Sequence, residues 1–147
     1  MAVAGLAAAF AGLAVAGAPP ARAASPAVNY ALNCQGCHLA DGREIPDLVP
    51  ALRGSVGRFA RVPAGRDYLI RLPNVASTSL SDADTALLLN WVVERFADPG
   101  PDGDEFVFAA FTAEEVAGGR RRPLLDVDGA RRAALRQVES REESATR

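Results

Sequence analysis

The only histidine and both cysteines of the chain fall within five residues, Cys34-Gln35-Gly36-Cys37-His38. Three chemistries compete for that cluster. A redox dithiol of the thioredoxin kind opens a helix that follows a β-strand, whereas no strand-like pattern precedes Cys34 and the motif falls at the end of a predicted helix. A structural zinc site needs about four N or S ligands, more than this chain owns. Covalent attachment of a haem uses all three side chains. The Cys-x-x-Cys spacing lets the thiols reach the two vinyl groups on one porphyrin edge, and the next residue carries its imidazole beneath the iron. The expectation is one haem c bound through Cys34 and Cys37, with His38 as the proximal iron ligand.

Downstream, Pro50-Ala51-Leu52-Arg53-Gly54-Ser55-Val56-Gly57-Arg58 begins twelve residues after His38. This stretch resembles the Pro-x-Leu-x-Gly-x-x-Gly-Arg segment of class I (mitochondrial-type) monohaem cytochromes c, at the same distance from the haem histidine. The resemblance covers about residues 26–97. It implies a mostly α, cytochrome c-like helical haem domain. It also implies that the Pro50 carbonyl accepts from the ring N–H of His38, fixing the tautomer of the ligand, and that Arg58 contacts a haem propionate. In the family the first and last helices pack at a near-right angle, which implies a contact of Tyr30 or Leu32 with Leu88 or Trp91.

The pattern breaks at the sixth iron ligand. The family supplies a Met from the loop before its last helix. Here that loop reads Pro73-Asn74-Val75-Ala76-Ser77-Thr78-Ser79-Leu80, the only Met is Met1, and the chain has no second His and no Lys. Asn74 is the best-placed weak distal ligand. Asn90, on the polar side of its helix, is less suited. A water, an empty position, a residue of a partner chain or a freed N-terminal amine completes the set.

Several elements position these residues. Ser25-Pro26 is a good helix start, with Ser at the N-cap and Pro in the first turn, and the helix carries Val28, Tyr30, Ala31 and Leu32 toward Cys37-His38. Residues 39–65 are punctuated by Gly and Pro and read as loop. Arg66 to Leu72 predicts a short helix closed by Pro73. The strongest helix signal is Ser81-Asp82-Ala83-Asp84, which opens 82–97 and puts Leu88, Trp91, Val92 and Phe96 on one face, with Asn90 and Glu94 on the other. Thr112-Ala113-Glu114-Glu115 caps a helix of little more than a turn stopped at Gly118-Gly119, and a last helix is expected over 129–139, fraying into a polar tail.

Apolar residues make up 49% of the chain, inflated by its start. Ala2 to Ala18 are all apolar or Gly, and Pro19-Pro20-Ala21-Arg22-Ala23-Ala24 follows. That predicts a secretory signal peptide over 1–23, although no Lys or Arg precedes the apolar run. An uncleaved membrane anchor is the alternative, in a run slightly short for a bilayer. The haem domain is then 24–97, and 98–147 is a linker, at Asp98-Pro99-Gly100-Pro101-Asp102-Gly103-Asp104, plus a partly disordered helical extension. Residues 25–119 carry 7 Arg against 13 acids, while 120–147 carry 8 Arg against 5. An acidic body argues against nucleic acid, which needs a clustered positive face, and the alternating charges of the tail read as a solvated helix. Asp102-Gly103-Asp104-Glu105 resembles a calcium loop only loosely, and no hydrolytic or transferase site is visible.

The expected function is electron transfer by an exported, periplasmic cytochrome working with redox protein partners such as a dehydrogenase or oxidase. The alternative is a small-ligand-binding, sensing or peroxidase-like haem protein with an open or weakly ligated distal site. An accessory subunit docked through the extension overlaps the first of these.

Overall fold

The computed structural model describes residues 24–99 and 106–147. The expected leader at 1–23, most of the linker and the loosely calcium-like acids lie outside the described residues. Among the described residues the chain forms helices without a strand, the only β feature being a bridge between Ile45 and Val49.

Helix α1 runs Pro26–Asn33, with Ser25 accepting from the Val28 N–H and Pro26 in the first turn. It stops before the motif. Cys34 leaves helical geometry at φ −126°, and Gln35–His38 forms its own turn, α2. This corrects the expectation of one helix running through to His38. The break turns the motif relative to α1, so the spacing of Cys34, Cys37 and His38 is set by a separate turn.

The Gly- and Pro-rich stretch holds two helices that its composition concealed: α3, Val56–Ala60, and the start of α4, Pro63–Arg71. Pro63 occupies the first turn of α4, where its missing N–H costs nothing. A further turn, α5, spans Pro73–Ala76. The expected capping residue Ser81 opens α6, Asp82–Phe96, by accepting from the Asp84 N–H at 3.0 Å.

Tyr30 of α1 packs on Trp91 and Phe96 of α6, with ring centroids at 5.2 and 5.3 Å. Of the contacts implied by resemblance, Tyr30 with Trp91 is present, while Leu32 is 76% exposed and takes no part. Leu88, Val92 and Phe96 are buried as expected, but Leu89 and Val93 on the neighbouring face are buried too. Leu89 lines a cavity, and α6 also packs against the C-terminal region.

There α7 spans Ala113–Arg120 and α8 spans Val127–Ala145. Thr112 caps α7 through the Glu115 N–H, and Asp126 caps α8 through the Gly129 N–H. Helix α7 continues through Gly118-Gly119 because the Gly119 backbone lies against Ile70 of α4, an approach that a Cβ would prevent. Helix α8 lies along α4 and reaches α3. Its Val127, Ala134 and Val138 turn inward at helical spacing, and the last two are buried. The expected helix over 129–139 with a frayed tail is therefore short at both ends, and the extension is part of the body.

Two polar devices tie it down. The Asn90 carboxamide brackets the Phe111 peptide: the Phe111 N–H donates to Oδ1 at 2.7 Å, and Nδ2 donates to the Phe111 carbonyl at 3.1 Å. The Arg66 guanidinium stacks on the Phe111 ring at 4.0 Å, pairs with Glu115 at 2.6 Å and donates to the carbonyls of Ala60, Ala109 and Ala110. Burying the Arg66 charge is tolerable because its donors are satisfied.

Candidate functional site

Helices α1 to α6 and the first turns of α8 enclose a cavity of about 520 Å³, of the size that holds cofactors, and most of its lining is aliphatic or aromatic. Cys34, Cys37 and His38 all line it. Cys34 is half-buried and packs on the core, while Cys37 is exposed, so the thiol end of the cavity reaches the surface. Both thiols are free of disulfide.

Beyond His38 the chain turns out sharply. Leu39 adopts φ 58°, ψ 173°, a region that residues other than Gly rarely occupy. The Tyr30 hydroxyl holds this turn by donating to the Leu39 carbonyl at 2.6 Å. Burial, with the Cys34 thiol and Asp41 adding to it, pushes the Tyr30 phenol up to about 12, so it remains a donor at every physiological pH. Strain of about 1–3 kcal/mol at Leu39 is thus tolerated immediately after the residue whose imidazole lines the cavity.

Burial pulls the His38 imidazole below its ordinary value, opposed in part by the Pro50 backbone carbonyl, which faces the ring. The imidazole is therefore neutral at pH 7 and its lone pair is free for a metal. Its Nδ1 is buried and makes no hydrogen bond of standard geometry. A buried ring nitrogen beside a proline carbonyl, two thiols on the same turn and an apolar cavity fit a haem. Cys34 and Cys37 would hold it, His38 would ligate the iron, and Pro50 would orient His38.

The comparisons with known proteins agree with this geometry. Over 109 residues the chain is 30% identical to a cytochrome c-552 of Thermus thermophilus, covering 62% of this chain and 81% of the relative. A second cytochrome c-552, from a defined strain of the same organism, is 31% identical over 109 residues, covering 62% of this chain and 72% of that one. The chain belongs to the c-type cytochromes. Membership implies haem c, and Cys34 and Cys37 are the only thiols able to carry it. No family model matches the chain, and no solved structure does.

Two of the expected site residues stand elsewhere. Arg58 does not line the cavity. Its guanidinium forks onto the Glu142 carboxylate of α8, with Nε and one terminal nitrogen each at 2.7 Å. The resemblance gave Arg58 to a propionate; in this chain a carboxylate 84 residues away takes the same fork. Asn90 is fully engaged with Phe111 and also lies off the cavity, which removes it as a ligand. Asn74, in contrast, lines the cavity from α5 and is exposed, with no hydrogen bond from its side chain among the described residues.

Sequence reasoning missed the contribution of α8: Val127, Asp128 and Arg131 line the cavity. The signal was available in the spacing of Val127, Arg131, Ala134 and Val138, which places them on one helical face. It missed Arg120 as well. From the end of α7 this side chain donates to the carbonyls of Ala76, Thr78 and Leu80 and pairs with Asp82 at 2.9 Å. The loop that carries Asn74 is thereby fixed by the extension.

Proposed function

We propose that the chain is an exported class I monohaem cytochrome c that passes electrons between redox proteins outside the cytoplasm. The single observation that carries this is the turn Gln35–His38 with its N-cap Cys34, which together present two thiols and an imidazole to one apolar cavity. When bound, the haem supplies one-electron redox chemistry at its iron. The chain's own residues do the rest. Cys34 and Cys37 anchor the group, His38 donates its lone pair, and Pro50 orients the imidazole. Leu52, Val56, Phe59, Leu69, Leu88 and Val92 keep water from the cavity.

Exposure of Cys37 and of the cavity-lining Leu48, at 79%, leaves the attached edge accessible to a redox partner without any opening of the fold. Export is supported by the apolar leader with its Ala-x-Ala site. Among the described residues no helix is long and apolar enough to cross a membrane.

A second reading is favoured by one observation: among the described residues no Met, His other than His38, or Lys lines the cavity, and the polar side chains facing it beyond the motif include weak ligands such as Asn74 and Thr78. The distal position is then open to small neutral molecules, which supports ligand binding or sensing at the same iron.

Redox titration of the purified holoprotein tests the first reading. The expected result is a reversible one-electron transition with haem that stays on the protein in acidified organic solvent. Haem that extracts freely from the unmutated protein overturns it. Edman sequencing is expected to find the mature N-terminus at Ala24 or Ser25, and an intact Met1 overturns cleavage.

A further inference from the structure

Placing a haem in this cavity leaves a charge to be matched. A haem carries two propionates, and a carboxylate held against an apolar wall without a cationic partner is costly. Arg58, the partner implied by family resemblance, does not line the cavity and pairs with Glu142. Among the described residues that line the cavity one guanidinium remains, that of Arg131 in the second turn of α8.

Arg131 is half-buried, and its guanidinium carbon stands 5.5 Å from the ring centroid of Phe59, itself a cavity residue. Among the described residues it has neither an ion pair nor a hydrogen-bond acceptor, whereas Arg58, Arg66, Arg71, Arg120 and Arg122 are each matched to a carboxylate. A fork of donors beside an aromatic wall with no acceptor is incomplete as a protein interaction and complementary to an incoming carboxylate. Among the described residues the other titratable groups facing the cavity are Tyr30, Cys34, Cys37, His38, Tyr68 and Asp128. Of these only Asp128, one turn before Arg131, carries a negative charge, and it opposes a carboxylate there.

We propose that Arg131, from the C-terminal extension, is the cationic partner of a haem propionate in this chain, the role that family resemblance implied for Arg58. The proposal rests on the haem reading above. It makes α8 part of the cofactor site and Arg131 a haem-contacting residue.

The test is the pH dependence of the midpoint potential of holoprotein variants, read by spectroelectrochemistry, because an ionising propionate lowers the potential over the range in which it loses its proton. Arg131→Gln should move that range up by about one pH unit, a tenfold change in proton affinity. Arg131→Lys should restore most of the shift, and Asp128→Asn should move the range the other way. Arg58→Gln should leave it in place. An unchanged profile in Arg131→Gln overturns the proposal, as does a shift found in Arg58→Gln instead. Thermal melts of each variant separate a lost contact from a lost fold, and a shift that Arg131→Lys fails to restore is structural and also overturns it. Haem retention in acidified solvent is measured alongside. If the unmutated protein releases its haem, the haem reading fails, and this proposal falls with it.

Discussion

Cys34, Cys37, His38 and Pro50 supply one part of the cavity lining from a short stretch of chain, while Tyr68, Leu72, Asn74, Val75, Val127 and Arg131 supply another from three separate helices and their ends. In the first part, position is set locally, by the α2 turn, by the reversal at Leu39 and by the Tyr30 hydroxyl that holds it. In the second, position is set at long range. Arg120 fixes the loop around Asn74, and the packing of α8 on α4 brings Arg131 to the wall. On the proposed reading, local geometry would anchor the cofactor, and long-range packing would decide what surrounds its remaining faces.

The difference can be broken from either end. Replacing both thiols, Cys34→Ala with Cys37→Ala, should abolish covalent haem altogether, read as loss of the haem mass from the intact protein. Either single change should leave one thioether. The long-range part has no counterpart to this effect. Phe111→Ala, which empties a buried position between Asn90 and Arg66, should cost about 3–5 kcal/mol in denaturant unfolding, yet attached haem should stay covalently bound in acid solvent. Asn90→Ala removes both bonds to the Phe111 peptide and should cost about 1–3 kcal/mol, with no change in the visible spectrum. If Asn90→Ala perturbs the iron spectrum as strongly as a ligand change does, the division between anchoring and covering is wrong.

The smallest effect belongs to the Arg58–Glu142 pair, which is about half exposed. Hydrogen bonding to Arg58 holds the Glu142 carboxyl below its ordinary value. Its contribution is therefore present above that ordinary value and is lost as pH falls through the depressed one. Glu142→Gln should lower stability by less than about 1 kcal/mol at neutral pH, and its melting curve should converge with that of the unmutated protein in acid.

The same division governs what could be read from the sequence. The motif, the α6 cap at Ser81 and the Tyr30–Trp91 contact were legible because each is a local pattern or part of a family spacing. Helices α3 and α5 were not, since a few residues framed by Gly and Pro carry no periodicity and are held by tertiary contacts. The Arg58–Glu142 fork joins residues 84 positions apart, and nothing local in either segment announces the other. The charged outer face of α8 reads as solvated tail, although the inward spacing of Val127, Ala134 and Val138 marked a packed helix. The expectation was a helical extension, partly disordered; among the described residues its helices carry a buried seam.

Carbon monoxide binding to the reduced holoprotein tests the central contrast most directly, because it asks whether the long-range part of the cavity supplies a strong iron ligand. With only weak donors such as Asn74 available there, the reduced protein should bind carbon monoxide readily, with a Soret shift complete at low gas concentration. Asn74→Ala should tighten that binding, and Asn90→Ala should leave it unchanged. A reduced protein that stays low-spin and refuses carbon monoxide would contradict the account, since a strong ligand would then have to hold the position.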